Sequence, residues 1–542
     1  MTDPWFGGQS AAPIRVRFTP SPVTHLHVGD VRTALYNWAF ARHTGGAFVL
    51  SVEDTEADQA TAEQATAEQA AAIQETLHWL GLNWDEGPDQ GGSYGPYRQS
   101  ERIGLYHQWA QRLLDTGHAY WCYCTPEELQ ARHEAAEAPG AAGTQGTAGA
   151  QETLETPGTA GTPGAAATQG ADYDRYCRTV PPDQVQAYLA EGRRPVLRFL
   201  MPDGSTTFTD LIRGEITVDH HDVPDFVLMR AGGNPLETLA AAVDDVMMRI
   251  THVIRGEELL PAAPRQLALY RAMGLPDEQL PVFGHLPQIL GDDGQKLSRR
   301  NGVTAIDWYR QEGFLPEALD NYLAGLNWPP GEDRDESTLD DLVGGFELSD
   351  VSPSAARFDP EKLEALNGAK IRGLTPADFA RRIVPFLART GLVTEPLSSD
   401  QMWFIRDGAP LIQDRITRLT EVPALLAFLL VPESGFRVPA EEAAAVLTAD
   451  AATPLKAAAE ALAPLSGEDW TAPAIEAALH AALVDGLGLE PGVPSEPVQV
   501  AITGRRNSPP LPESMALLGR DRSLARLAAA QAASGTSVRG PG

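Results

Sequence analysis

The run Ile14-Arg15-Val16-Arg17-Phe18 reads as a strand and breaks at Pro20; His27-Val28-Gly29-Asp30 follows, just ahead of helical periodicity. That helix is predicted from about residue 30 to 42. It carries Leu35, Trp38 and Ala39 along one side and is closed by Gly45-Gly46. Ala47-Phe48-Val49-Leu50-Ser51-Val52 is then a second strand. Strand, glycine turn, helix and strand form the opening of a parallel α/β nucleotide-binding fold, which sets the predicted fold class as α/β.

The rest of the chain divides by composition and period. A second helix is expected up to Gly81, entered through a short alanine-rich repeat from Gln59, and an amphipathic helix over 101–116 places Leu105, Trp109, Leu113 and Leu114 on one face. Tyr120-Trp121-Cys122-Tyr123-Cys124 is strand-like, and Thr125-Pro126-Glu127-Glu128 is a helix start. Further strands are expected at 196–200, 225–229 and 246–255, with a helix over 267–273. Residues 138–171 are mostly Ala, Gly, Thr, Pro and Gln; such a segment buries too little apolar surface to offset its ordering entropy, so disorder is expected. Beyond Trp308 helical periodicity dominates, with breaks near 327–330 and 486–494.

Bulk composition excludes several classes. No run of about 18 apolar residues exists, so no membrane-spanning helix is expected, and Met1-Thr2-Asp3-Pro4-Trp5 does not open a signal peptide. Three cysteines in 542 residues argue for a reducing, cytoplasmic setting rather than a disulfide framework. A net charge of −31 is a statement about the long-range field, and it leaves room for a local basic groove that meets nucleic acid.

Two segments carry chemistry. A glycine at a helix start, as in His27-Val28-Gly29, lets backbone amides approach a polyphosphate, and a nearby imidazole can hydrogen-bond it as charge develops. Asp30 works against this, because a carboxylate at the helix mouth caps well but repels phosphate. The first lysine in the chain, Lys296, opens Lys296-Leu297-Ser298-Arg299-Arg300 after Gly291-Asp292-Asp293-Gly294-Gln295. Glycines and aspartates make such a loop mobile, and its cations can close on a triphosphate.

Taken together, these segments resemble the two signatures of the class I aminoacyl-tRNA synthetases, and of the glutamyl-tRNA synthetases in particular. Arg17-Phe18-Thr19-Pro20-Ser21-Pro22 with His27-Val28-Gly29 is similar to the first signature, and Lys296 to Arg300 to the second. In between, in the family's order, stand Val52-Glu53-Asp54-Thr55, Tyr97-Arg98-Gln99-Ser100-Glu101-Arg102, Asp244-Asp245, Ile254-Arg255-Gly256-Glu257-Glu258 and His285-Leu286-Pro287; Asp307-Trp308-Tyr309 and Gly313-Phe314-Leu315-Pro316 come after. The resemblance covers the chain apart from its two ends and the 138–171 insert. It implies a Rossmann-like catalytic domain in two halves, 14–96 and 236–291, around an acceptor-binding insertion at 97–235. A stem-contact domain at 292–375 carries the basic loop, two all-α anticodon-binding domains span 376–458 and 459–530, and loose ends lie at 1–13 and 531–542.

The implied activity is ATP-dependent attachment of glutamate to tRNA(Glu) through glutamyl-adenylate, by a cytoplasmic monomer with no membrane partner. By resemblance, Arg17, Ser21, Glu53, Glu237 and Arg255 line the amino-acid pocket. Thr19, His27, Gly29, Glu258, Lys296, Leu297, Ser298 and Arg299 fall on ATP with its Mg2+, with His27, Gly29, Lys296 and Arg299 closest to the chemistry. Arg415 would read the anticodon. Pyrophosphate exchange is expected only when tRNA is present.

Departures from the family pattern gather in the pocket. Glu237 stands where the family has tyrosine, Ala241 where a larger or polar residue is usual, and Ser51 where an arginine precedes the Glu-Asp-Thr block. A carboxylate gained and an arginine lost beside an acidic substrate imply the alternative of a divergent relative with altered amino-acid choice, or one that binds tRNA without catalysis. Cys122, Cys124 and Cys177 match three positions of a zinc knuckle found in some members. Thr179 at the fourth is a poor ligand, so no zinc is expected.

Overall fold

The computed structural model describes residues 13–22, 25–55, 62–137, 173–298, 304–328, 338–489 and 496–536. The 138–171 insert, Arg299 and Arg300, and residues 1–12 and 537–542 of the expected loose ends lie outside that set, whereas 531–536, expected as part of the loose end, continue the helix Arg520–Thr536. The chain forms two compact units, residues 1–307 with 320–359, and residues 308–319 with 360–542.

The first unit runs β1 (Arg15–Phe18), α1 (Val28–Thr44), β2 (Ala47–Leu50), α2 (Ala62–Trp79), α3 (Ile103–Asp115), β3 (Ala119–Cys122) and α4 (Pro126–Glu137). It continues through α5 (Pro182–Ala190), β4 (Val196–Phe199), β5 (Ser205–Asp210), β6 (Gly214–Asp219), β7 (Val227–Met229) and α6 (Glu237–Met247). Then come β8 (His252–Gly256), α7 (Ala263–Ala272), β9 (Val282–Leu286), β10 (Ile289–Leu290) and, late in the chain, β11 (Ala356–Arg357). One sheet has the order β2-β1-β8-β9-β5-β6, parallel throughout except for β6, which pairs antiparallel with β5. β3, β4 and β7 make a separate antiparallel sheet.

The return from α1 into β2 explains why the opening pattern is so readable. Gly45 takes φ 65° at the helix end, and a side chain on Gly46 would place its Cβ 2.4 Å from the Ile14 carbonyl oxygen. Only glycine permits both the left-handed turn and that approach. A single core joins the two sheets: Tyr106, Trp109 and Leu113 of α3 pack with Leu197, Phe199 and Leu228 of the small sheet, Leu239 and Val243 of α6, Leu267 of α7 and Phe283 of β9.

Two expectations need correction. The strand over 246–255 begins only at His252, because Val246 and Met247 finish α6 and Arg249 turns the chain at φ 55°. Short apolar runs such as Val246-Met247-Met248 suit either element, and here α6 continues its buried face through them. No strand is predicted over 205–219 or 282–286, yet β5, β6 and β9 lie there. Alternating threonines in β5 and a Gly284-His285 pair in β9 weaken the apolar signal.

The second unit is helical, and its helices follow local rules. Thr375 caps the helix Pro376–Arg389 through the Asp378 amide, and that helix buries Phe379, Ile383 and Leu387 at fourfold spacing. Ser398 and Gln401 form a reciprocal cap at the start of Ser399–Gly408. Arg382 pairs with Glu317, tying residues 308–319 to this unit. Among the described residues no helix is long and apolar enough to cross a membrane.

Candidate active site

β1 sits between β2 and β8, and the chain leaves β1 towards β2 through α1. Strand order therefore reverses between β1 and β8, and in open parallel sheets the crevice beyond the strand ends at such a point is where ligands bind. The crevice is framed by Thr19 to Pro22 after β1, by Arg255 to Glu258 at the end of β8, by His285 to Pro287 at the end of β9, and by the first turn of α1.

Arg17, on β1, spends every donor inside the chain. Its Nε and Nη2 reach Asp245 Oδ1 at 3.1 and 2.7 Å, Nη2 also reaches the Ala241 carbonyl at 3.4 Å, and Nη1 donates to Ser51 Oγ at 3.1 Å and to Thr19 Oγ1. Burial opposes its charge, but Asp245 and Asp244 outweigh this and hold the guanidinium firmly protonated. Tyr270 donates to the other Asp245 oxygen at 2.7 Å, and burial and that carboxylate push the phenol's pKa up. The neighbouring Asp244 takes Arg102 Nε at 2.6 Å, Gln99 at 3.1 Å and the Tyr106 hydroxyl at 3.0 Å. Its burial is complete enough to push its pKa up despite Arg17 and Arg102. Ser51, the departure from arginine, thus supplies an acceptor for Arg17 and also meets Thr19 Oγ1 at 2.8 Å.

Arg255 differs. Its Nε donates to His285 Nε2 at 3.1 Å and its Nη2 to the Leu259 carbonyl at 3.0 Å, with the guanidinium 5.3 Å from the Phe283 ring centre. No described carboxylate pairs with it at ion-pair distance. Burial lowers its pKa, and Tyr270, Asp245, Glu237 and Asp210 offset this only through space. His285 is held by Asp210, whose Oδ2 lies 2.6 Å from Nδ1, an acceptor that leaves Nε2 to take the Arg255 proton. Burial keeps His285 neutral in spite of Asp210, and burial of Asp210 is outweighed by His285 and the Arg213 and Ile212 amides. Glu237 is exposed at the head of α6, where a carboxylate also suits the helix dipole. Ser21 Oγ approaches the Glu53 carbonyl at 3.5 Å, and the Glu53 amide bonds the Pro20 carbonyl at 3.2 Å, so the two loops run side by side.

The helix mouth pairs with residues that follow the basic loop in sequence. His27 makes an antiparallel bridge with Ala305, and the Val28 amide donates to the Thr304 carbonyl at 2.9 Å. At its other end the loop is pinned by a Leu290–Lys296 bridge and by the Leu297 amide on the Ile289 carbonyl at 2.8 Å. Lys296 and Ser298 are exposed. A Cβ added to Gly29 meets nothing within 4 Å, so the fold leaves open space beside that turn. Asp30 folds back on His27, its Oδ2 lying 2.9 Å from the backbone nitrogen and 3.1 Å from Nδ1. Glu258 lies over Gly256, where an added Cβ would sit 2.3 Å from its Oε2; its charge also acts on Arg32, whose pKa burial lowers.

Away from the crevice, Cys122, Cys124 and Cys177 place their sulfurs within 4.8 Å of one another. Arg132 donates to Cys124 Sγ at 2.8 Å, and the Tyr173 hydroxyl lies 3.9 Å from that sulfur. Hydrogen bonds from Cys124 and Cys177 pull the Cys122 thiol well below the usual range, and hydrogen bonds with Cys122 and Cys177 push Cys124 up. Three sulfurs and a phenol oxygen form a donor set that suits a thiophilic cation such as zinc. The expectation of no zinc rested on Thr179 as fourth donor, whereas Tyr173 is the oxygen beside the trio. In the second unit Arg415 is exposed in a short 3₁₀ turn, not on an α-helix, and donates to the Ser508 carbonyl at 3.4 Å.

Several residues that shape the crevice are given no site role in the sequence reading: Tyr270 behind Arg17, Asp210 behind His285, and Asp245, which appears there only within a family block. The adjacent carboxylates Asp244-Asp245 inside an apolar helix are the signal that marks Asp245, since buried charges must be paired.

The chain matches the family model described as tRNA synthetases class I (E and Q), catalytic domain, over residues 13–365. An anticodon binding domain model matches residues 378–531. It is 45% identical over 519 residues to a protein of Saccharopolyspora erythraea named glutamate–tRNA ligase, covering 95% of this chain and 96% of that one. A Rhodococcus jostii protein of the same name is 46% identical over 522 residues, covering 96% of this chain and 98% of its own. Among solved structures, a glutamate tRNA ligase from Elizabethkingia meningosepticum in complex with its amino acid aligns with a TM-score of 0.74 at 30% identity, covering 96% of this chain and 99% of that chain.

Proposed function

Because this chain belongs to the glutamate–tRNA ligase family of class I aminoacyl-tRNA synthetases, we propose that it charges tRNA(Glu) with glutamate in two ATP-dependent steps. The observation that supports the site assignment is the pairing of His27-Val28 with Thr304-Ala305, a few residues beyond Lys296 to Ser298, beside an open Gly29.

In the first step a glutamate carboxylate oxygen attacks the α-phosphorus of ATP and pyrophosphate leaves. Amides at the head of α1, the His27 imidazole and the Lys296 ammonium hold phosphate oxygens while charge builds there. Magnesium, which synthetases of this class generally use with ATP, would be carried on the nucleotide's phosphates and would add charge compensation to that of His27 and Lys296. Arg255 receives a substrate carboxylate, since it is a half-buried guanidinium with donors to spare and no described carboxylate at ion-pair distance. Arg17 acts from behind as a rigid cation braced by Asp245, and Glu53 suits the substrate ammonium. In the second step a ribose hydroxyl at the tRNA end attacks the activated carbonyl and AMP leaves. A metal at the cysteine trio would brace β3 against residues 173–177 and takes no part in either step.

Aminoacylation of total tRNA, run separately with each of the twenty amino acids, tests the proposal. Esterification of glutamate alone supports it. Transfer of another amino acid would favour the altered-choice reading, for which Glu237 acting on Arg255 is the specific support. No transfer of any amino acid would remove the proposal.

A further inference from the structure

We propose that Asp210, at the end of β5, is a positioning residue for glutamate recognition, an inference that rests on the reading that Arg255 receives a substrate carboxylate. Acting through His285, Asp210 fixes the direction in which Arg255 presents its guanidinium. The sheet order β8-β9-β5 puts Asp210 one strand from His285 and two from Arg255. Arg255 and His285 are direct partners in the parallel β8–β9 ladder. Phe283, two residues before His285 and therefore on the same face, stacks on the imidazole at 5.7 Å and lies 5.3 Å from the guanidinium.

The protons along this chain are placed from both ends. The backbone N–H groups of Ile212, Arg213 and His285 donate to Asp210 Oδ1 at 3.0, 2.9 and 3.2 Å, which commits that oxygen as an acceptor. Asp210 Oδ2 lies 2.6 Å from His285 Nδ1. At the other end the Arg255 Nε–H can only donate, and it meets His285 Nε2 at 3.1 Å. A ring protonated at Nδ1 and bare at Nε2 satisfies both neighbours, and no other form does. Burial keeps the ring neutral in spite of Asp210, as this arrangement requires. The other cation acting on the ring, Arg213, is paired with Glu257. Asp210 is 1% exposed and His285 is fully buried, so water does not stand in for either bond.

The consequence falls on the substrate side of Arg255. Its Nε is held by His285 and one Nη2 proton by the Leu259 carbonyl at 3.0 Å, so the planar group cannot turn and its remaining donors keep one aim. Bidentate capture of a carboxylate depends on that aim, because both bonds form only when the fork faces the ligand. Asp210 thereby acts on glutamate affinity without touching glutamate.

The test is steady-state charging of tRNA with glutamate by the full-length protein, at saturating ATP and tRNA, beside a thermal melt of each variant. Asp210→Asn keeps a carbonyl oxygen for the backbone amides of Ile212, Arg213 and His285 but turns an amide nitrogen towards Nδ1. The ring then carries its proton on Nε2, where it opposes the Arg255 Nε–H. The glutamate KM should rise about tenfold with kcat within about threefold, the pattern of binding lost equally from ground and transition states. In an Arg255→Gln background the same change should add less than about twofold, because Asp210 acts through that arginine. His285→Leu should reproduce the rise. His285→Gln, whose carbonyl oxygen can take the Arg255 Nε–H, should recover most of the loss. Asp210→Asn and His285→Leu leaving KM within about threefold of wild type, while Arg255→Gln raises it, would overturn the role of Asp210. So would an Asp210→Asn effect that persists in full beside Arg255→Gln, as a structural role alone would give. If Asp210→Asn melts below the assay temperature, the two His285 variants decide. An unchanged KM in Arg255→Gln would instead remove the reading of Arg255 itself.

Discussion

Arg255→Gln separates substrate recognition from stability more cleanly than any other single change. In the folded chain the guanidinium gives Nε to His285 and one Nη2 proton to the Leu259 carbonyl, at 3.1 and 3.0 Å. Three of its five donors then remain for a ligand. A carboxylate held by two charge-assisted hydrogen bonds gains about 1.5–3 kcal/mol from each, or about 3–6 kcal/mol together. At 1.4 kcal/mol per decade, their loss weakens glutamate binding about 10²–10⁴-fold. Stability should move little or even rise, because the variant removes a charge that its desolvated surroundings already disfavour. The assay is the glutamate KM in aminoacylation at saturating ATP and tRNA, beside a thermal melt of the same preparation. A KM within about threefold of wild type, or a large loss of stability, would refute the assignment of Arg255 as the carboxylate receptor.

Other outcomes follow from the same geometry. Asp244→Ala strands Arg102, Tyr106 and Gln99 in a buried site and should cost about 3–5 kcal/mol in denaturant unfolding; a loss under about 1 kcal/mol would contradict the paired-charge account. Lys296→Ala should cut charging by about two orders of magnitude or more while tRNA affinity measured by filter binding stays near wild type. His285 is held neutral by burial, so the unfolded ring takes up a proton near pH 6.5 that the folded ring refuses. Stability should therefore be full above about pH 6.5 and decline below it, and His285→Asn should flatten that decline in urea midpoints measured across the range. Asp210, held low by His285 and backbone amides against the cost of burial, adds a further loss as the pH falls below about 3.9.

The fold was readable wherever local rules act alone. The β1–α1–β2 opening is fixed by apolar alternation and by Gly45-Gly46, and α1 extends only two residues beyond the predicted 30–42 at each end. Helix Pro376–Arg389 announces itself through a cap and fourfold apolar spacing. Legibility fails where tertiary contacts decide. β5 and β9 pair parallel with neighbours far away in sequence, through Asp210–Phe283, and neither has a strong apolar pattern. Val246-Met247 could be strand or helix until α6 packs them, half-buried, against the core. For the site, residue types pointed to Arg17 and Arg255 alike. Only the packing distinguishes an arginine whose donors are all taken by Asp245, Ala241, Ser51 and Thr19 from one still able to bind a carboxylate. Tyr173 beside the cysteine trio was similarly invisible, because the rule for a fourth metal donor looks two residues beyond Cys177 and not four before it.

The account depends on the imidazole at the head of α1 and the first lysine of the chain gripping one triphosphate. A crystal structure of the protein with ATP measures this directly. The expected result is phosphate oxygens within hydrogen-bonding distance of both the His27 ring and the Lys296 ammonium. A triphosphate bound by one of them with the other facing solvent or a different cavity would contradict it.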